Sequence, residues 1–162
     1  MPHSYLAFRH LNDDRFRPTE LERDQILDLA TFRSGLGPKD DYVVFSGCRE
    51  VSLPPHLLLV FASRGVTWLS QSASDNYYQE NALTVERLDL FGNELAATEK
   101  PYASLSRLDQ KADFGDAGYV AATLDPAMGT SWQRAIVWVR PGLYVIRDTV
   151  TARVAGEYAL SV

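Results

Sequence analysis

From about Ile26 onward the apolar residues recur with a period near two, in runs of four to eight residues cut by Gly, Pro, Asn, Asp or Ser. Successive side chains of a strand point to opposite faces, so this pattern commits the chain to short strands and excludes long amphipathic helices. It predicts strands over 26–33, 42–47, 57–62, 66–70, 82–88, 103–109, 117–124, 132–139, 143–150 and 156–162. The breaks fall at Gly35-Leu36-Gly37-Pro38, Pro54-Pro55, Ser63-Arg64-Gly65, Gly92-Asn93, Lys100-Pro101, Gly115-Asp116, Gly129, Pro141-Gly142 and Gly156. The strongest hairpins are HLLLVFASRGVTWLS and SWQRAIVWVRPGLYVIRDTV, each two apolar strands joined by a short turn. Antiparallel neighbours with no intervening helix imply an all-β fold, an antiparallel β-sandwich. Residues 1–24 are polar and charged and read as an N-terminal appendage, with Pro18-Thr19-Glu20 opening a short helix through Arg23; residues 25–162 form the sandwich domain.

The second hairpin is specific enough to predict a register. Pairing Val139 with Leu143 across Arg140-Pro141-Gly142 sets Arg134 opposite Asp148, Ile136 opposite Ile146 and Trp138 opposite Tyr144, with Gly142 in the left-handed position. Both faces of the hairpin are apolar, which predicts an interior place in the sheet, with Ile136, Trp138, Val145 and Ile146 in or near the core.

The chain has 162 residues, 46% hydrophobic and 23% charged, as an ordinary globular domain has. A chain of this length buries roughly two-thirds of its unfolded surface and needs no staple. The formal net charge of -5 argues against nucleic acid, and an acidic polysaccharide would need a local basic patch. The single cysteine, Cys48, permits no intrachain disulfide and reads as a small buried thiol. The N-terminus shows no signal peptide, and no apolar run is long enough for a membrane helix.

Metal and cofactor motifs are missing. His3, His10 and His56 are scattered, and neither a His-Glu-x-x-His, a Gly-x-Ser-x-Gly nor a phosphate loop occurs. His56 follows Pro54-Pro55 at a strand start; it reads as a hydrogen-bonded loop histidine or, in the sharper reading, as a general base at a groove mouth. Asp109, Asp113 and Asp116 cluster with Lys111 in what reads as a solvated turn. The segment Ser74-Asp75-Asn76-Tyr77-Tyr78-Gln79-Glu80-Asn81 combines aromatic faces with amide and carboxylate groups, the chemistry by which proteins hold sugars.

The phrases LATFRSGLGPKDDYVVFSG, HLLLVFASRGVTWL, YYQENALTV and SWQRAIVWVRPGLYVIRDTVTARVAGEYAL, in that order, resemble the β-sandwich region of heparinase II/III-like polysaccharide lyases over roughly residues 26–162. Arg134 through Asp148 match that family's closing phrase of arginine, apolar strand, tight turn, apolar strand and aspartate. The resemblance implies a supersandwich-like domain of a longer lyase-like protein, beside an α-helical toroid of the same protein, in a periplasmic or extracellular setting. It implies a polysaccharide partner of the uronic-acid class, with neither cofactor nor metal, and β-elimination as the family chemistry. Of the family's site residues only the tyrosine (Tyr77 or Tyr78) and the asparagine, Asn81, have counterparts; with these, Tyr78 and His56 are the candidate catalytic pair, and Tyr77, Glu80, Asn81 and Trp68 the candidate substrate contacts. The family pattern has a histidine directly before the asparagine, where this chain has Glu80. That departure, and the lack of a toroid, favour a module that contributes polysaccharide contacts and does not cleave alone. The alternatives are a non-catalytic carbohydrate-binding or interdomain packing module, and a divergent lyase using His56, Tyr78 and Glu80.

Overall fold

The computed structural model describes residues 5–10, 21–47, 56–70, 83–86, 105–127, 130–152 and 157–160. They form eleven strands and one 3₁₀ turn, Arg23–Gln25. The strands are β1 (Tyr5–His10), β2 (Ile26–Arg33), β3 (Tyr42–Ser46), β4 (Leu57–Ser63), β5 (Val66–Ser70), β6 (Leu83–Glu86), β7 (Ser106–Asp113), β8 (Ala117–Ala127), β9 (Thr130–Val139), β10 (Leu143–Ala152) and β11 (Glu157–Leu160).

The all-β, antiparallel class follows the expectation. Nine strands make one curled sheet of order β10-β9-β8-β7-β2-β3-β4-β5, with β1 also on β2, while β6 and β11 pair separately. Within the N-terminal stretch expected as a polar appendage, Tyr5–His10 pairs with β2 from Tyr5↔Arg33 to His10↔Leu27. A six-residue run carrying Arg9 and His10 shows too little alternation to announce a strand, and its ladder with β2 supplies what its side chains do not.

The sheet has two arms joined at a narrow corner. β2 and β7 pair only through Ile26↔Arg107 and Leu27↔Ser106. From there the arm β1–β5 and the arm β7–β10 curl toward each other, and their inner faces share one core. Leu27, Ala30 and Phe32 of β2, Val43 and Phe45 of β3 and Leu58 of β4 meet Val120, Ala122, Ile136 and Trp138 of β8 and β9. Aromatic edges lock the arms: Phe32 meets Trp138 at 6.0 Å and 82°, and Phe61 meets Tyr144 at 4.9 Å and 71°.

β9 shows why the pattern was readable. Thr130, Trp132, Arg134, Ile136 and Trp138 are buried, while the residues between them are half-buried or exposed. The hairpin register is as expected: Arg134↔Asp148, Ile136↔Ile146 and Trp138↔Tyr144, with Gly142 at φ 75°. The expected burial of the whole hairpin is not observed. Ile136 and Trp138 are buried, but Val145 and Ile146 are 51% and 41% exposed, because β10 is the end strand of the sheet. Apolar residues on both faces suit an interior strand and an edge strand equally, so the pattern alone does not separate them.

The corner depends on Gly47. Its N–H donates to the Asp28 carbonyl at 2.8 Å, and its carbonyl accepts from Ser106 N–H at 2.7 Å, so β2, β3 and β7 converge on one residue. A Cβ there would lie 2.3 Å from the Leu27 carbonyl oxygen and 2.8 Å from Leu27 Cβ. Backbone cannot yield as a flexible side chain does. Gly47→Ala is expected to cost about 1–3 kcal/mol, measured as a fall in the urea midpoint; an unchanged midpoint would show that the corner is loose.

Candidate functional site

Two places in the structure carry chemistry, one inside the curl and one outside it.

Inside, Arg134 and Asp148 face each other across the β9–β10 pair. Arg134 Nε donates to Asp148 Oδ1 at 2.8 Å and Nη2 to Oδ2 at 3.0 Å, a two-pronged ion pair. Trp132 Nε1–H donates to the same Asp148 Oδ1 at 2.8 Å, and the guanidinium lies 4.6 Å from the Trp132 ring centre. Arg134 Nη1 also reaches the carbonyl of His56, on the other arm, at 3.4 Å.

His56 is wedged into this corner with 0% exposure. Its ring meets Trp132 edge-on at 4.5 Å and Phe45 at 5.1 Å, and Nδ1 hydrogen-bonds Ser106 Oγ at 2.9 Å. Its backbone sits at φ 73°, a left-handed conformation that favours glycine but that histidine enters more readily than most residues. The hydrogen bond that His56 N–H donates to the Ser46 carbonyl, 2.8 Å, holds the turn in place. Burial, and then the charge of Arg134, hold the imidazole well below its ordinary pKa of 6.5, so it is neutral. The ring lies in the interior rather than at a groove mouth, and Nε2 has no hydrogen-bond partner among the described residues. A histidine after Pro-Pro at a strand start looks like a loop residue, and nothing local reveals that the corner folds over it.

Outside, the β7–β8 hairpin carries a shallow groove of about 680 Å³, lined by Asp109, Gln110, Lys111, Ala112, Phe114, Ala117, Gly118, Tyr119 and Val137. Leu108 packs on the core, and the register slips between Leu108 and Gln110, leaving Asp109 as the extra residue of a bulge. Asp109 faces outward, accepting from Arg107 Nε at 3.0 Å, Thr123 Oγ1 at 2.5 Å and Gln133 Nε2 at 2.9 Å. Asp109 and Lys111, expected in a solvated turn, lie instead on strand β7; the turn proper contains Gly115 and Asp116. A strand of charged residues, Ser106–Asp113, has the alternation of neither a core strand nor a loop, which is why the groove could not be read from it.

Trp68 is 68% exposed. The β4–β5 register passes from Phe61↔Leu69 to Ala62↔Thr67, so Trp68 is the unpaired residue of a bulge that turns it outward. Tyr77, Tyr78, Glu80 and Asn81 lie outside the described residues, as does Cys48. No group of three or more His, Cys, Asp or Glu suited to a metal ion occurs among the described residues, and no helix among them is long and apolar enough to cross a membrane.

Comparison with known proteins gives no match: no family model, curated sequence or solved structure is similar to this chain.

The buried imidazole has a measurable consequence. The unfolded chain takes up a proton at His56 near its ordinary value, whereas the folded chain resists it until well below. Between those two values the unfolded state binds more protons, so stability rises with pH and is lost as pH falls below about 6.5, by up to about 1.4 kcal/mol per pH unit. Urea titrations between pH 7.5 and 5 are expected to show this slope, reduced in His56→Asn, which tolerates the left-handed backbone. An equal slope in the variant would remove His56 as the cause.

Proposed function

We propose that this chain is a polysaccharide-binding β-module, non-catalytic on its own, that holds uronic-acid glycans on its outer face. The observation that carries the reading is the β7–β8 groove. Its lining includes the aromatic residues Tyr119 and Phe114 together with Gln110, Lys111 and Asp109. Sugar rings stack on aromatic faces, and their hydroxyls pair with amides and carboxylates. Lys111 supplies a local cation for a uronic carboxylate, on a chain whose net charge of -5 would otherwise repel it. The volume falls in the range of small-ligand sites, roughly 300–1,000 Å³.

Trp68 is a second exposed aromatic, on β5, and the segment Tyr77 to Asn81 carries the same sugar-binding residue types in its sequence. The resemblance to heparinase II/III-like lyases supports the same substrate class. It also supports a supersandwich-like parent protein with a toroid, outside the cell or in the periplasm. The interior position of His56 favours binding over β-elimination, because a base must reach the proton that it removes.

Calorimetric titration with alginate, heparan sulfate and chondroitin oligosaccharides tests the reading. Tyr119→Ala is expected to weaken binding by about 2–10-fold. Lys111→Gln is expected to weaken only the acidic glycans, with a loss that shrinks as salt rises. Absence of binding, or binding indifferent to both substitutions, would overturn the proposal. Incubation with the same glycans should give no rise in ultraviolet absorbance from unsaturated product. A steady rise abolished by Tyr78→Phe would instead support the divergent lyase.

A further inference from the structure

β10 is an edge strand built differently from the other end of the sheet. It pairs with β9 over ten consecutive residues, Leu143↔Val139 to Ala152↔Thr130, without a bulge. Its outer edge has no strand beside it among the described residues. Leu143, Val145, Ile146 and Val150 are exposed along it, the first at 57%. The opposite end, β5, is five residues long and broken by the bulge at Trp68. Short strands, bulges, Pro and Lys protect sheet edges from pairing with another chain. β5 carries two of these protections. β10 carries neither bulge, Pro nor Lys between Leu143 and Ala152.

We propose that β10 pairs with β10 of a second copy of this chain, antiparallel about a two-fold axis normal to the sheet. The charges on the strand exclude two registers of this pairing, and the exposed apolar side chains choose among the rest. In such a pairing a residue lies opposite one of the same parity, so the axis passes through a single residue. Centring it on Arg147 or Asp148 would set like charges face to face, which is destabilising. Centring it on Ile146 sets Ile146 against Ile146, Val145 against Arg147, Tyr144 against Asp148 and Leu143 against Thr149 of the other copy. No like charges meet, and the three exposed apolar side chains nearest the turn are covered over a seven-residue ladder. The contact is isologous and closes at two copies, so it does not propagate into a fibre. The axis is normal to the sheet, so both outer faces, each with its β7–β8 groove, lie on the same side of one extended sheet. The dimer does not depend on what the groove binds.

Sedimentation equilibrium across a concentration series tests it. The chain is expected at twice its 18.1 kDa mass. The register separates two substitutions at one exposed position. Val145→Lys sets a cation against Arg147 of the other copy and is expected to raise the dissociation constant on the order of tenfold or more. Val145→Glu sets an anion there and is expected to keep the dimer. Oxidation of Ile146→Cys in a Cys48→Ser chain is expected to trap a covalent dimer, read on a non-reducing gel. A monomeric chain at every concentration would overturn the proposal. So would equal behaviour of the Lys and Glu variants, or an Ile146→Cys chain that sediments as a dimer yet does not cross-link.

Discussion

The guanidinium of Arg134 lies in the interior of the curl at 3% side-chain exposure, held by both oxygens of Asp148. A charge so placed is tolerable only with a partner, because desolvating it alone costs several kcal/mol. Asp148 is the partner, and Trp132 supplies a donor to Asp148 as well as a ring for the cation. The same guanidinium reaches across the sheet to the His56 carbonyl on the other arm. Only two residue pairs of ladder join the arms, so this cluster, with the His56–Ser106 bond and the convergence on Gly47, keeps the corner closed.

Much of this was written in the sequence at the level of strands. Glycines, prolines and short polar breaks marked most turns, and the hairpin from Trp132 to Val150 paired in the register that its charges and apolar residues require. Local rules act there, and they need only neighbours in the chain. What could not be read depends on residues far apart. The apolar residues of β10 are the same whether a further strand lies beside them or not. His56 is buried because Phe45, Ser106 and Trp132, from three other strands, close over it. Trp68 was expected only as a substrate contact; its exposure follows from a bulge, and that bulge, like the one at Asp109, is a property of pairing, not of composition.

The two faces of the sheet divide the work. The inner face spends its polar groups on each other, so its histidine, arginine and aspartate are held rather than offered. The outer face carries Tyr119 and Gln110 at an open groove. The proposed binding of an extended polymer would use this exterior, as a platform rather than an enclosed cleft. The corner cluster serves the groove indirectly, because β7 begins at Ser106, within the corner, and carries Asp109 and Lys111 a few residues later.

The closing role of the ion pair can be measured by a double-mutant cycle in urea on Arg134→Met, Asp148→Leu and the double variant. If the pair is buried and coupled as described, each single change costs about 3–5 kcal/mol, because each leaves a charge stranded. The double change then costs far less than their sum, with a coupling of about 2 kcal/mol or more. Single costs that are small and add to the double, with coupling below about 0.5 kcal/mol, would mean that the pair behaves as a surface contact and that the corner is held by something else.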